Sequence, residues 1–156
     1  MLIMTACSVQ WTDSEGNVRS LGFIHYSVVE SDKAWVYVHR TLGLNLRFTH
    51  FDGGFTLGYR KMMLVKPCNK TRCPKMASSG FLSTQYDGSE EIGAYLRRIV
   101  GADLGLAPVS NGFRLGYHKH FMLLGPSAGE SVTAKIEFDE KQPENTIFLL
   151  QKEAAP

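Results

Sequence analysis

Two histidines separated by a single residue are the side chains best suited to bind a metal ion. His118 and His120 should point to the same face of a strand, because side chains alternate along a strand. Such a pair can bind zinc, copper or nickel when a third ligand joins it. His25, His39 and His50 are scattered along the chain and could supply that ligand only through folding. The alternative interpretation is a pair of histidines on a solvated strand.

Four basic residues recur at equivalent positions in two stretches of the chain that lie 58 residues apart. They are Arg40, Arg98, Lys61 and Lys119, and all four fall on the apolar side of their predicted strands. A charge that is buried without a partner costs several kcal/mol. These side chains must therefore reach solvent at the strand ends, or meet a carboxylate or a bound anion. The last alternative predicts a basic pocket for an anionic ligand such as a lipid head group.

The chain has three cysteines, an odd number. Cys68 and Cys73 flank a short segment whose Asn69 and Thr71 favour a turn, so an oxidising compartment would allow a disulfide between them. A ring of that size would contribute about 2 kcal/mol. The alternatives are two free thiols or, less favoured, a zinc site that lacks nearby histidines. Either way, Cys7 is left without a partner.

The first residues of the chain carry a resemblance to a known class of protein. Met4-Thr5-Ala6-Cys7 resembles the end of a bacterial lipoprotein signal peptide, in which a small residue precedes a lipid-modified cysteine. The resemblance is to small bacterial envelope lipoproteins of uncharacterised family. It implies that residues 1–6 are the remnant of a signal peptide and that Cys7 carries the lipid anchor. Because Ser8 follows the cysteine, it also implies an outer-membrane protein that faces the periplasm.

Composition limits the class of protein further. The chain has 156 residues, a formal net charge of +2 and a hydrophobic fraction of 44%, which fits one globular domain. The charge is too small for the clustered basic surface that nucleic-acid binding requires. No nucleophile elbow, paired carboxylates, phosphate loop or dinucleotide motif occurs. We therefore predict a protein that is not an enzyme and has no cofactor.

An internal repeat organises the rest of the chain. Gly-Phe-x-Leu-Gly-Tyr-x-Lys occurs at 54–61 and again at 112–119, and the same 58-residue shift aligns residues 20–61 with residues 78–119 without a gap. We interpret this as a duplication of about 20–77 and 78–135. Each copy predicts three strands, because aromatic and β-branched residues alternate between turn signals. The strands predicted from these patterns lie at about 20–30, 35–48, 54–65, 80–87, 93–106, 112–124, 131–138 and 146–151.

Alternation divides the third strand of each copy into two faces. Phe55, Leu57, Tyr59, Met63 and Val65, with their equivalents Phe113, Leu115, Tyr117, Phe121 and Leu123, are the predicted core. The opposite face carries the paired glycines 54/58 and 112/116, which indicate strong sheet curvature, a β-bulge or a close approach of another strand. The predicted fold is all-β, with about eight antiparallel strands in a small barrel or a two-sheet sandwich. Residues 7–19 would be a tether for this 20–156 domain.

Three functions follow as expectations, from different classes. The first is a lipid-anchored cell-envelope protein with a non-catalytic binding or structural role, whose partners are the membrane and another envelope protein. The second is a small β-barrel that binds an anionic ligand through the four basic residues. The third is a metal-binding protein that uses the two neighbouring histidines.

Overall fold

The computed structural model describes residues 7–31, 34–49, 52–67, 78–86, 93–107, 111–124 and 132–152. These residues form nine strands and one 3₁₀ turn at Pro143–Asn145, with no α-helix among them. The strands are β1 Cys7–Thr12, β2 Val18–Ser31, β3 Ala34–Phe48, β4 Gly53–Pro67, β5 Ser78–Tyr86, β6 Gly93–Gly105, β7 Gly112–Leu124, β8 Val132–Glu137 and β9 Ile147–Lys152. The all-β prediction is confirmed, and each of the eight predicted strands is present.

Seven strands form one sheet in the order β5-β2-β1-β3-β4-β6-β7, and β8 and β9 form a separate two-stranded ribbon. The barrel alternative is wrong, because β5 and β7 end the described sheet and it does not close. All pairings are antiparallel except that of β1 with β3, which is parallel. No helix in the described part of the chain is long and apolar enough to cross a membrane.

The prediction that residues 7–19 form a tether is wrong. Cys7–Thr12 is a strand that lies between β2 and β3 and pairs with both. Asp13 closes the following turn, because its carboxylate accepts the backbone N–H groups of Glu15 and Asn17 and binds Arg19 at 2.6 Å. The segment is therefore part of the sheet. Residues 1–6, Cys68 and Cys73 lie outside the described residues.

The duplication is visible in the strand registers. In the β3–β4 hairpin Arg40 lies opposite Lys61, and in the β6–β7 hairpin Arg98 lies opposite Lys119, which is the same register shifted by 58 residues. The first strands of the two copies differ. β2 pairs with β3, but β4 already occupies the corresponding side of β6, and β5 pairs with β2 instead. Because the two repeated hairpins lie side by side, β5 cannot pair with β6 in the way that β2 pairs with β3.

A row of glycines crosses the four strands β3, β4, β6 and β7. Gly43, Gly58, Gly101 and Gly116 are direct neighbours in register, and all four have positive φ angles. A Cβ atom on Gly58 would lie 2.2 Å from the Val100 carbonyl oxygen, and one on Gly101 would lie 2.1 Å from that of Leu57. No larger residue fits there without a shift of the backbone. The close approach of a neighbouring strand therefore applies at Gly58 and Gly101, whereas a Cβ atom on Gly116 would have no atom within 4 Å.

The sheet curls around one face, which we call the inner face. Side chains from strands that are not neighbours meet there: Arg60 of β4 lies 3.4 Å from the Gln10 side-chain oxygen of β1. Val18 of β2 belongs to the same buried cluster as Tyr95 of β6. The opposite, outer face is partly covered by the ribbon, because Ile136 and Phe138 pack against a buried aliphatic cluster. That cluster consists of Ala34, Val36, Val38, Met63, Val65, Ala94 and Leu96.

Candidate functional site

The inner face is buried and polar, which reverses the predicted core. The face that carries the glycines also carries Arg60 and Thr56, and both are fully buried. The face predicted as core points outward, and only its ribbon-covered end, with Met63 and Val65, is buried. Leu57 is 55% exposed and Leu115 is 77% exposed. Alternation separated the two faces correctly, but the wrong one was assigned to the interior.

An ion cluster of five side chains, each at most 2% exposed, lies on the inner face. Its members are Arg47, Asp52, Arg60, Arg97 and Asp103. Asp52 lies 2.8 Å from Arg60 Nη2 and 2.5 Å from Arg97 Nη1, with Arg47 Nε at 3.2 Å. Asp103 binds Arg47 Nη2 at 2.9 Å. Three guanidinium groups thus share two carboxylates, and this set links β3, β4, β6 and the turn that precedes β4.

Asp52 holds the cluster together electrostatically. Burial raises the pKa of the Asp52 carboxyl, but Arg60, Arg47 and Arg97 outweigh burial and bring this pKa to about 2. Tyr95 Oη donates a hydrogen bond of 2.5 Å to the same carboxylate. Burial and the neighbouring Asp52 charge raise the pKa of Tyr95 to about 12. Near neutral pH the Asp52 carboxyl is therefore ionised and the Tyr95 hydroxyl is neutral, and neither changes its protonation state, as expected of a structural element.

The two candidate metal ligands lie beside this cluster, on the inner side of β7. His118 Nε2 is 3.5 Å from Asp103 Oδ2. Burial lowers the pKa of both imidazoles, and for His120 the nearby Arg97 adds to that effect. In the described ranges no group of three His, Cys, Asp or Glu side chains is placed to hold a metal ion. A pair of imidazoles alone does not make a metal centre.

The four repeated basic residues come together on the outer face. Arg40, Lys61, Arg98 and Lys119 are direct neighbours in register across β3, β4, β6 and β7, and we call them the cation row. The Arg98 and Lys119 side chains are 42% and 48% exposed, whereas Lys61 is 9% exposed. A groove of about 400 Å³ lies elsewhere, at the ends of the hairpins, and Leu46, Phe48, Phe55 and Leu106 line it together with Arg47.

Glu140, just after the ribbon strand β8, is the anion that the cation row contacts. Its carboxylate binds Lys119 Nζ at 2.6 Å and Arg98 Nη1 at 3.0 Å, and its backbone oxygen accepts from Lys61 Nζ at 2.5 Å. Arg40 Nη1 lies 3.0 Å from His25 Nδ1. Burial and the neighbouring Arg40 lower the pKa of Lys61. Among the described residues, Glu140 therefore contacts three of the four basic side chains, two through its carboxylate and one through its backbone oxygen.

Beyond the cation row the outer face is apolar and uncovered. Three successive rows of four residues, which we call the apolar patch, continue toward the hairpin ends: Leu42, Tyr59, Val100, Tyr117; Leu44, Leu57, Ala102, Leu115; Leu46, Phe55, Leu104, Phe113. Six of them are at least 46% exposed, namely Leu42, Leu57, Val100, Phe113, Leu115 and Tyr117. A contiguous exposed apolar surface of this kind is typical of a site that binds a protein or a membrane.

Cys7 borders the apolar patch. It pairs with Leu44 at the start of β1, so its side chain lies on the same face, and it is an exposed free thiol. Val9 continues this face along β1, opposite Leu46 and Leu21. The structure thus places the predicted lipidation residue beside the apolar patch.

The signal for the apolar patch was present in the sequence but assigned to the core.

Three comparisons with known proteins add no further constraint. No family model matches the chain. No curated protein matches it. No solved structure matches it either.

Proposed function

We propose that this protein binds the surface of a lipid bilayer through the apolar patch, as a membrane-associated envelope protein with a non-catalytic role. The observation that carries the proposal is the exposure of the patch. Six of its twelve side chains are at least 46% exposed, whereas the ion cluster on the inner face is fully buried. A globular protein that used this face only for its own core would cover it, as the ribbon covers the neighbouring rows.

The composition of the patch margin supports a membrane rather than a protein partner. The row next to the cations contains Tyr59 and Tyr117, and tyrosine is enriched where a surface passes from hydrocarbon to head groups. Basic side chains follow immediately, and they suit the phosphate layer of a bilayer. Strands that lie along the membrane would immerse side chains only, which leaves the backbone of the β7 edge at the interface, where water can reach it.

The lipid anchor at Cys7 stays a prediction that this geometry supports. An acyl chain on Cys7 would emerge on the face that carries the apolar patch, and two lipid-binding elements together give stable membrane attachment where one is marginal. We expect the chain, expressed in a bacterium with its natural upstream region, to carry the added mass of a lipid, and a Cys7→Ser variant to lack it. An unmodified wild-type protein in the soluble fraction would refute the anchor. The proposed location is the outer membrane, facing the periplasm.

The test of the apolar patch uses two leucine-sized residues that are both exposed. Leu115 lies in the patch, and Ile147 lies on the ribbon strand β9 and is 42% exposed. Burying one such side chain in hydrocarbon contributes about 1.5–3 kcal/mol. We therefore expect Leu115→Asp to lower the partition coefficient onto phosphatidylcholine vesicles about tenfold or more, measured by flotation of the unlipidated protein.

The matched variant Ile147→Asp should leave vesicle binding unchanged, because its side chain is outside the patch. Neither substitution should unfold the protein, since both side chains are exposed, and far-UV circular dichroism checks this. If the two variants lose binding equally, or if the wild-type protein does not float with vesicles, the proposed membrane surface is wrong.

A further inference from the structure

The cation row lies where the head groups of a bilayer would be if the apolar patch is immersed. The row is directly adjacent to the patch on β3, β4, β6 and β7, and it points in the same direction. Successive outward residues on a strand are about 6.6 Å apart, so the basic groups border the tyrosine row at the edge of the immersed surface, from which their long side chains can reach the phosphate layer. Arg98 also lies over the Tyr117 ring, with its guanidinium carbon 5.4 Å from the ring centroid.

Among the described residues, four cations of the row face two carboxylates. Glu140 is shared among three of the four cations. The neighbouring Asp139 accepts the backbone N–H groups of Lys141 and Gln142, and its charge acts on Lys61 from a distance. Closely packed like charges repel one another, and the lowered pKa of Lys61, caused by burial and by Arg40, is consistent with that repulsion. An additional anion at the row would relieve it.

The exposed end of the row is the part that an external anion can reach. The side chains of Lys119 and Arg98 are 48% and 42% exposed, whereas Lys61 as a whole is 9% exposed. Lysine and arginine are the side chains that bind phosphate oxygens, arginine in a bidentate manner. The contacts that Glu140 makes with Lys119 and Arg98 show that two oxygen atoms of one anion can bridge them.

We propose that the cation row binds the phosphate groups of anionic phospholipids and so gives the membrane surface a preference for them. This inference rests on the proposed function, because the apolar patch brings the row to the head groups. The bilayer is the source of phosphate, and Glu140 acts as an internal competitor that limits the strength of binding. Removal of a cation and removal of Glu140 should therefore have opposite effects.

The experiment compares vesicles of phosphatidylcholine alone with vesicles that also contain phosphatidylglycerol. Each basic residue near an anionic membrane changes binding about fivefold. We expect the wild-type protein to prefer the anionic vesicles, Lys119→Gln to reduce this preference about fivefold, and Glu140→Gln to increase it by a similar factor. The matched control is Lys135→Gln, because Lys135 is also an exposed lysine, paired with Glu137 at 3.1 Å.

Three outcomes would overturn the inference, and each is distinguishable. Equal binding to both kinds of vesicle would leave the apolar patch as the membrane surface and remove the role of the row. Equal losses for Lys119→Gln and Lys135→Gln would show an effect of net charge rather than a site. Displacement by inorganic phosphate, beyond that caused by chloride at the same ionic strength, would point to a soluble phosphate ligand. Absence of binding to either vesicle would instead refute the proposed function itself.

Discussion

Asp52→Asn should destabilise the protein by about 3 kcal/mol or more, the largest effect that we expect from any single isosteric change. The Asp52 carboxylate is buried and contacts three guanidinium groups and the Tyr95 hydroxyl. Asparagine keeps the shape but removes the negative charge, so Arg47 and Arg97 would keep Asp103 as a carboxylate partner, whereas Arg60 would lose its ion pair with Asp52. Removing one partner from a buried ion pair typically costs about 3–5 kcal/mol. Urea unfolding followed by far-UV circular dichroism measures this loss.

Asp13→Asn is the matched control. Asp13 also binds an arginine, at 2.6 Å, but the Arg19 side chain is 43% exposed. An exposed pair of this kind contributes little to stability because solvent screens it, and asparagine can still accept the hydrogen bonds of the turn. A similar loss for both variants would show that the ion cluster does not hold the sheet together.

The same cluster sets the acid sensitivity of the fold. The pKa of Asp52 is about 2 in the folded chain, below the ordinary value of 3.8. The stability that this carboxylate contributes is therefore fully present above about pH 4 and is lost as the pH falls toward 2. The Asp52→Asn variant should lack this part of the acid transition, which gives the stability measurement a second, independent readout.

Strand positions and the repeat could be predicted because they depend on local patterns. The alternation of apolar residues and the turn signals located eight strands, and the 58-residue shift placed Arg40, Arg98, Lys61 and Lys119 in equivalent positions. Once the two hairpins lie side by side, equivalent positions become one row. The assembly of the cation row thus follows from the repeat, although its partner Glu140 comes from a segment outside both copies.

The interior could not be predicted, because alternation distinguishes two faces without saying which one is enclosed. The polar inner face draws Arg47, Asp52, Arg60, Arg97 and Asp103 from three strands and a turn, and only their pairing unites them. The sequence did carry a signal for a polar interior. The glycine-bearing face of the third strand carries Thr56 and Arg60 in the first copy and Arg114 in the second. β1 was missed for a similar reason: Ser8, Gln10 and Thr12 suggested a polar tether, whereas they alternate with Cys7, Val9 and Trp11, as in a strand with one polar face.

The position of β5 required information that no local pattern contains. Its residues are equivalent to those of β2, and the repeat alone would place it beside β6. β4 occupies that position, and its register with β6 is continuous from the pair of Gly54 with Gly105 to the pair of Val65 with Ala94. Competition between two strands for one edge is decided by the whole sheet, and this competition is why a duplicated sequence gives an unsymmetrical fold.

The most direct test of the central claim is whether the apolar patch enters the hydrocarbon of a bilayer. The chain has two tryptophans, so a variant with Trp11→Phe and Trp35→Phe has none, and Leu115→Trp then places a single probe in the patch. The control places the probe on the ribbon by Ile147→Trp in the same background. Phospholipids brominated in their acyl chains quench tryptophan emission only on close contact.

We expect brominated vesicles to quench most of the emission of the Leu115→Trp probe and to leave the Ile147→Trp probe nearly unchanged. Because Leu115 is 77% exposed and points outward from β7, the probe can enter the acyl layer without any change in the fold. Equal emission from both probes in brominated and ordinary vesicles would contradict the account, since the apolar patch would then lie outside the membrane.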